Sequence, residues 1–432
     1  MTMTTMTDPP RAEGFRLSQL WNDTRYRSYF FQFIATVLLI AAFAWLINNA
    51  INNPILQEAG IDFGFLQDQA GYDINQQPIP YTSQDSHLRA TVLGAMNTLI
   101  VSFLACITAT VFGVIAGVLR LSNNWIVSKL MAVYVEAFRN IPVLIWIIII
   151  FTITANVFPQ PRDFRGEDAV AAPIAGLVPV TNRGVYIPRP YFTQGVGAVE
   201  AEAVEVDGVT TLVAQEVTSS VNWLFVLGAL VLGWALARMI ARWADKRQEA
   251  AGDRPTTWPL TLAAWVVPLV VTLWALGLQW EVPRLQGFNF QGGILLRNSL
   301  IALWFALAIY TGAFIAENVR AGILAISKGQ TEAAAALGLR PGRIMRLVVL
   351  PQALRVIIPP LISQYLNITK NTSLAIAVGY MDLTGTLGGI TLNQTGRALE
   401  CILLLMAFYL TFSLAISGVM NVYNNAVSLK ER

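Results

Sequence analysis

Long uncharged apolar runs alternate with charged or polar connectors along this chain, and the alternation predicts its elements. A run of about 17 apolar residues or more can cross a bilayer as a helix. Eight such spans are read: Tyr29–Asn48, Thr91–Leu119, Ile141–Val157, Val217–Ala237, Trp258–Trp280, Asn298–Ala316, Leu347–Thr369 and Cys401–Val422. Only Arg355 interrupts the seventh, and Lys129, Glu136 and Arg139 lie just before the third. The polar segment Met1–Ser28 precedes the first run, and no Ala-x-Ala site closes that run. A run of about 20 residues is too long for a signal-peptide core, so it is expected to be a membrane anchor.

Two connectors are long. Ile51–Ala90 is polar and contains Asn75-Gln76-Gln77-Pro78. Phe158–Glu216 is acidic towards its end and alternates apolar with polar residues around Ala198–Val206 and Val209–Val213, which predicts a small β-structured excursion. That excursion is either a solvated insertion or a docking surface. Within the second span, Gly113-x-x-x-Gly117 places two small residues on one helix face, where two backbones can approach closely.

Composition sharpens the picture. Of 432 residues, 55% are hydrophobic and only 13% charged, against about 25% charged in soluble domains. The net charge of +3 comes from basic residues scattered between apolar blocks, with no basic stripe, so no nucleic-acid partner is expected. With the N-terminus inside and the spans alternating, inside segments hold eighteen Lys and Arg residues and outside segments nine. That bias follows the positive-inside rule and puts both termini in the cytoplasm. Cys106 and Cys401 fall in apolar runs and are read as buried free thiols. The only histidine, His87, is expected in a polar loop, which leaves little room for a zinc cluster or a Ser-His-Asp triad. No catalytic residue, metal site or cofactor is expected in this chain.

The stretch between the sixth and seventh spans is unlike an ordinary connector. It reads Glu317-Asn318-Val319-Arg320-Ala321-Gly322-Ile323, then Lys328-Gly329-Gln330-Thr331-Glu332-Ala333-Ala334-Ala335-Ala336-Leu337-Gly338-Leu339-Arg340-Pro341. Thr331 is the expected N-cap, and Glu332 in the first turn would suit the positive end of the helix dipole. Four alanines favour helix strongly, and Gly338 supplies the stop. Pro341 opens a second short helix at its first position. The expectation is helix, sharp turn, helix across the membrane face, with small side chains outward. Such a surface can seat in another protein's groove; the plainer alternative is an interfacial amphipathic loop.

These residues resemble the Glu-Ala-Ala…Gly loop of ABC-type importer permeases, a coupling helix that sits in a cleft of the ATPase subunit. Leu350-Pro351-Gln352-Ala353-Leu354-Arg355, Ile358-Pro359-Pro360 and Lys370-Asn371-Thr372-Ser373-Leu374 resemble the polar amino-acid uptake branch of that family. Glu136-Ala137-Phe138-Arg139-Asn140-Ile141-Pro142-Val143-Leu144 is similar to that branch's Glu-x-Phe-Arg-Gly-Thr-Pro-Leu-Leu signature, with Asn140 and Ile141 replacing Gly and Thr. The resemblance covers about 94–157 and 298–422. It implies an all-α integral membrane protein with a type I importer permease core (91–157 and 294–432, coupling loop 317–346). To that core are added 1–28 as a cytoplasmic segment, 29–90 as a first span with its outside loop, and 158–293 as an insertion carrying two extra spans. Such an enlarged permease resembles one of two unlike permeases in broad-range L-amino-acid importers.

The implied partners are two copies of a separate ATPase, a second non-identical permease, an extracytoplasmic amino-acid-binding protein and membrane lipid. ATP would be bound by the partner, since no Gly-Lys-Ser/Thr phosphate loop occurs in this chain. The implied coupling residues are Glu332, Ala333, Ala334, Gly338, Arg340 and Pro341. Lys370, Asn371, Thr372 and Ser373 are the expected lining of the translocation path. A lysine between apolar stretches is costly unless it faces water or a partner, and a helix break is tolerated beside a cavity. Lys370 snorkelling to the interface is the alternative. An ion-coupled secondary transporter would need carboxylates in mid-span, whereas Glu136, Glu317 and Glu400 sit at span edges.

Overall fold

The computed structural model describes residues 21, 24–52, 60–166, 169–197, 202–206, 209–213 and 219–427. Its apolar runs form helices because only a helix satisfies every backbone N–H and C=O within one segment where water is absent. The long ones are α1 (Thr24–Ile51), α2 (His87–Leu119), α3 (Trp125–Asn140), α4 (Val143–Val157), α5 (Val221–Ala251), α6 (Trp258–Ala275) and α7 (Asn298–Leu324). They are followed by α8 (Lys328–Ala336), α9 (Pro341–Ile344), α10 (Leu350–Asn371), α11 (Leu392–Thr395) and α12 (Ala398–Val427). Among the described residues seven helical stretches are long and apolar enough to span a membrane, and the α3–α4 pair raises the count to eight.

Two expected spans, the third and the fifth, and the placement of His87 are corrected. The third is not one run from Ile141: α3 and α4 meet at a bend of 108°. Ile141 is extended (φ −108°, ψ 133°), as the residue before a proline prefers, and Pro142 then caps α4. The fifth stops at Ala275, because Gly277 takes φ +62° and turns the chain, and Trp280 lies in a strand. His87 is not in a loop; it opens α2, is buried, and its Nδ1 lies 3.1 Å from the Thr391 hydroxyl. Met1–Leu20, Ala198–Ala201 and Ser428–Arg432 fall outside the described residues, and with them the cationic ends used in the charge bias.

At the centre stands α7, with Leu300, Leu303, Leu307 and Ile315 buried against α2, α4 and α10. In lipid, helices associate by close packing and not by escape from water, so small residues matter at their crossings. A Cβ on Gly113 would lie 2.5 Å from the Ile315 Cβ, and one on Gly117 would lie 2.6 Å from the Ala316 carbonyl oxygen. The Gly113/Gly117 face is therefore where α2 meets α7. By contrast α1 buries none of its central residues, and Leu38, Ile40 and Phe43 are exposed. The hairpin α5–α6 packs chiefly on itself; a Cβ on Gly233 would come within 2.9 Å of the Ala264 carbonyl oxygen.

A cap of short strands joins this hairpin to α7. The expected excursion is present as β4 (Glu202–Val206) pairing antiparallel with β5 (Val209–Val213). Beyond it, β1 (Val180–Thr181), β2 (Gly184–Ile187) and β9 (Ile294–Arg297) make one sheet, and β3 (Arg189–Phe192) pairs with β6 (Leu278–Glu281). A last pair, β7 (Arg284–Gln286) with β8 (Asn289–Gln291), forms a hairpin. The register Val185↔Leu296 fastens the long connector to the strand that enters α7. From 60–86, Gln76 donates to the Leu295 carbonyl at 3.2 Å and Arg297 Nε donates to the Asn75 carbonyl at 2.8 Å, locking the first connector to the same cap.

Candidate functional site: the α8 loop and the α10 break

Four elements in sequence, α7 to α10, carry both candidate regions. α8 starts one turn earlier than expected. Ser327 (φ −63°, ψ 141°) is its N-cap, not Thr331, so Glu332 lies in the second turn and the first turn holds no acid. The alanine run then continues to Ala336. Gly338 takes φ +76°, donates to the Ala335 carbonyl at 2.9 Å, and reverses the chain, while Leu339 N–H donates to the Ala334 carbonyl at 3.3 Å. Pro341 sits at the first position of α9 with Arg340 as its cap, as expected. α9 is not a separate short helix: through a π turn (Met345–Val349) it runs into α10, within one helical stretch Pro341–Val378.

Among the described residues, one side of α8 is used for packing. Ala334 is buried with Ile344 and Val349, and Ile323, Ile326 and Leu339 pack around them. The Gln352 amide donates to Gln330 Oε1 at 2.9 Å, tying α8 to α10. At the same end of the bundle Glu317 accepts from Arg320 at 2.7 Å and from Arg120, which joins α7 to the end of α2. The other side of α8 is open: Glu332, Ala333, Ala335, Ala336, Gly338, Arg340 and Pro341 are exposed, and Leu337 is 82% exposed. Among the described residues, a Cβ at Gly338 would meet nothing within 4 Å. The loop is thus rigidly seated on α7 and α10 and presents a small-residue surface outward.

At the far end of α10, the α-helix stops at Asn371 and tightens to a 3₁₀ stretch, Thr372–Val378, which ends at Gly379 with φ +67°. The helix break expected beside Lys370 is present. Lys370 is exposed in the last turn of α10 and makes no ion pair among the described residues. Asn371 and Ser373 are half-buried, and Ser373 donates to the Lys370 carbonyl at 2.8 Å. Thr372 corrects the expectation: it is fully buried, its hydroxyl donates to the Thr369 carbonyl at 2.9 Å, and it lies 3.5 Å from the Tyr409 hydroxyl of α12. It braces the break and does not face a solute.

Sequence reasoning passed over Asp382, which follows the break and is fully buried. One of its carboxylate oxygens accepts from Gly385 N–H at 2.8 Å and the other from the Tyr409 hydroxyl at 3.3 Å. Asn97 of α2 donates to the Met381 carbonyl at 2.9 Å, and Leu383 N–H donates to the Thr98 hydroxyl at 3.1 Å. The segment after Lys370 is therefore latched to α2 on one side and α12 on the other. A cavity of about 430 Å³ opens beside it, lined among others by Gly379, Tyr380, Gly389 and Asn393. The only signal for Asp382 was one carboxylate at the end of an apolar stretch.

Comparison with known proteins gives a consistent result. Residues 229–428 match the family described as binding-protein-dependent transport system inner membrane component. The chain is 51% identical over 440 residues to the glutamate/glutamine/aspartate/asparagine transport system permease protein BztB of Rhodobacter capsulatus, covering all of both chains. It is 39% identical to the general L-amino acid transport system permease protein AapQ of Rhizobium johnstonii, covering 99% of this chain and 98% of that one. It is 40% identical to the putative amino-acid ABC transporter permease protein YhdX of Escherichia coli, over 94% and 95% of the two chains. The chain therefore belongs to the amino-acid permeases of ABC transporters, the multi-pass inner-membrane components of binding-protein-dependent transport systems.

Proposed function

We propose that this chain is one of two unlike permease subunits of an importer for several polar L-amino acids, driven by ATP hydrolysis in two copies of a separate ATPase. An extracytoplasmic binding protein delivers the solute, and both termini lie in the cytoplasm. The observation that carries this reading is α8: braced on α7 and α10 by Ala334 and Gln352, and open on the side of Ala333, Leu337 and Gly338. A helix held so firmly from behind transmits a push from a partner to the spans on which it sits. Glu332, Ala333, Gly338, Arg340 and Pro341 form the surface that enters the ATPase cleft, with Ala334 as its anchor.

Amino-acid substrates are supported by the relatives at 51% and 39% identity, which are permeases of a glutamate/glutamine/aspartate/asparagine and of a general L-amino acid transport system. Lys370, Asn371 and Ser373 supply the chemistry such a solute needs, a cation for its carboxylate with an amide and a hydroxyl beside it, while Thr372 holds the break from behind. A push on α8 reaches Lys370 through the continuous stretch Pro341–Val378, so the loop and the path share one element. The test is reconstitution of the complex in proteoliposomes with radiolabelled glutamate or glutamine outside. Uptake is expected only with ATP inside and binding protein outside. Uptake driven by an ion gradient without ATP would instead make the chain a secondary transporter.

A further inference from the structure

The hairpin β7–β8 is built to hold an aromatic ring in the open. Its two-residue turn is Gly287-Phe288, where Gly287 takes φ +60° between the register pair Gln286↔Asn289. Phe288 is 90% exposed. A loop tip with a stray phenylalanine would normally be mobile, but this one is braced. Phe290, two residues on, is 6% exposed and packs edge-on against Phe164 and obliquely against Tyr186, both at 5.3 Å between ring centroids. The Tyr186 hydroxyl donates to Asn289 Oδ1 at 2.7 Å, and burial pushes that phenol above its usual range, so it stays a donor. The Arg165 guanidinium donates to the Gly287 carbonyl. A single exposed ring is ordinary on a protein surface, but one held in place before binding loses little entropy when a partner closes on it.

The surroundings of the ring say what kind of partner it meets. Beside the hairpin lies a polar cleft of about 350 Å³, lined by Tyr191, Trp280, Glu281, Arg284, Gln286 and Gln291 among others. Trp280, 59% exposed, is a second aromatic at its wall. Glu281 is neutralised by Arg189 at 2.9 Å, whereas Arg284 and Arg165 make no ion pair among the described residues. An apolar anchor inside a polar, cationic rim is the anatomy of a protein–protein contact. A segment dipping into lipid would be apolar around its whole tip, whereas here Arg284, Gln286 and Gln291 are exposed on the strands behind it. The position agrees: β9 enters the first residue of α7 and α8 follows its last, so the hairpin and the α8 loop lie at opposite ends of a 27-residue helix, about 40 Å apart.

We infer that the β7–β8 hairpin is a docking element for the importer's water-soluble binding protein, which receives Phe288 in an apolar pocket rimmed by carboxylates. This rests on the binding-protein-dependent function proposed above and locates that contact on the added cap. The experiment has two arms on the assembled importer in its own membrane. A photo-crosslinking phenylalanine analogue at position 288 is irradiated in cells, with the same analogue at Val170, also exposed on the cap, as control, and adducts are identified by mass spectrometry. An adduct with a solute-binding protein at 288 alone is expected; adducts only with lipid or with the second permease overturn the inference. The binding protein so identified is then titrated against ATP hydrolysis by wild type, Phe288→Ala and Arg284→Glu. Both variants are expected to raise the half-stimulating concentration about tenfold, with the maximal rate retained, as truncation of a contact anchor does. Superimposable titrations overturn docking at the hairpin. Absence of stimulation in the wild type instead overturns the function on which the inference rests.

Discussion

Substitution of Gly338 separates strain in the α8 loop from contact with a partner. Its φ of +76° lies where a Cβ costs about 1–2 kcal/mol, and asparagine tolerates that region better than alanine or aspartate. Among the described residues there is nothing further to lose, because none has an atom within 4 Å of a Cβ placed there. A cost of about 1–2 kcal/mol shifts a local conformational equilibrium by roughly five- to thirtyfold. The turn closes a loop anchored by the buried Ala334, Ile344 and Val349, so the membrane fold survives that shift. Gly338→Asp is expected to abolish uptake at normal expression, while Gly338→Ala and Gly338→Asn resolve the cause. If a partner groove closes on the glycine, Ala and Asn both lose ATPase binding, and Asn, the larger, loses more. If strain alone matters, Asn is the milder. The assay is co-purification of the ATPase with each variant, alongside proteoliposome uptake. Normal uptake by Gly338→Asp refutes the docking of α8.

Lys370→Ala is expected to reduce uptake severalfold while the complex assembles normally; wild-type rates for acidic, neutral and basic amino acids would return Lys370 to snorkelling. For topology, Val170→Cys should react with an impermeant thiol reagent applied outside and Glu249→Cys, in the last turn of α5, should not. Gly195 is a poorer probe site, since its Cβ would fall 2.4 Å from Asn222 Oδ1. Gly113→Val should destabilise the permease by about 1–3 kcal/mol or more, because even its Cβ meets Ile315 at 2.5 Å. Thermal unfolding of the purified subunit measures this, and an unchanged midpoint would mean that α2 and α7 do not cross there.

The spans were legible because the bilayer imposes one rule on every residue of a run, and a missing charge is visible one residue at a time. Their ends were less so. Trp258–Trp280 reads as one apolar run, yet Gly277 turns it after Ala275, and an aromatic at an interface looks the same as one in a span. The cap was mostly invisible for a different reason. Strands of two to four residues are too short to show alternation, and pairs such as Val185↔Leu296 join positions more than a hundred residues apart. Only β4 and β5, five residues each and adjacent in sequence, carry their own signal.

At the site, the sequence supplies chemistry and spacing, while direction comes from packing. Ser327 and Thr331 are both competent caps. The choice fell to Ser327 because its backbone is extended where the chain leaves α7, and that depends on how Ile323 and Ile326 pack on the loop core. Lys370 to Ser373 read as one polar cluster, but successive residues on a helix point about 100° apart. One of the four must therefore face inward if α12 packs beside them. Thr372 is that residue, taken up by Thr369 and Tyr409, and the same tyrosine holds Asp382. Tyr409 thus touches both sides of the α10 break, the residue that braces its start and the carboxylate that latches its return. A ring so placed ties any movement of the break to α12, and with it the exposure of Lys370 to the packing of the last span.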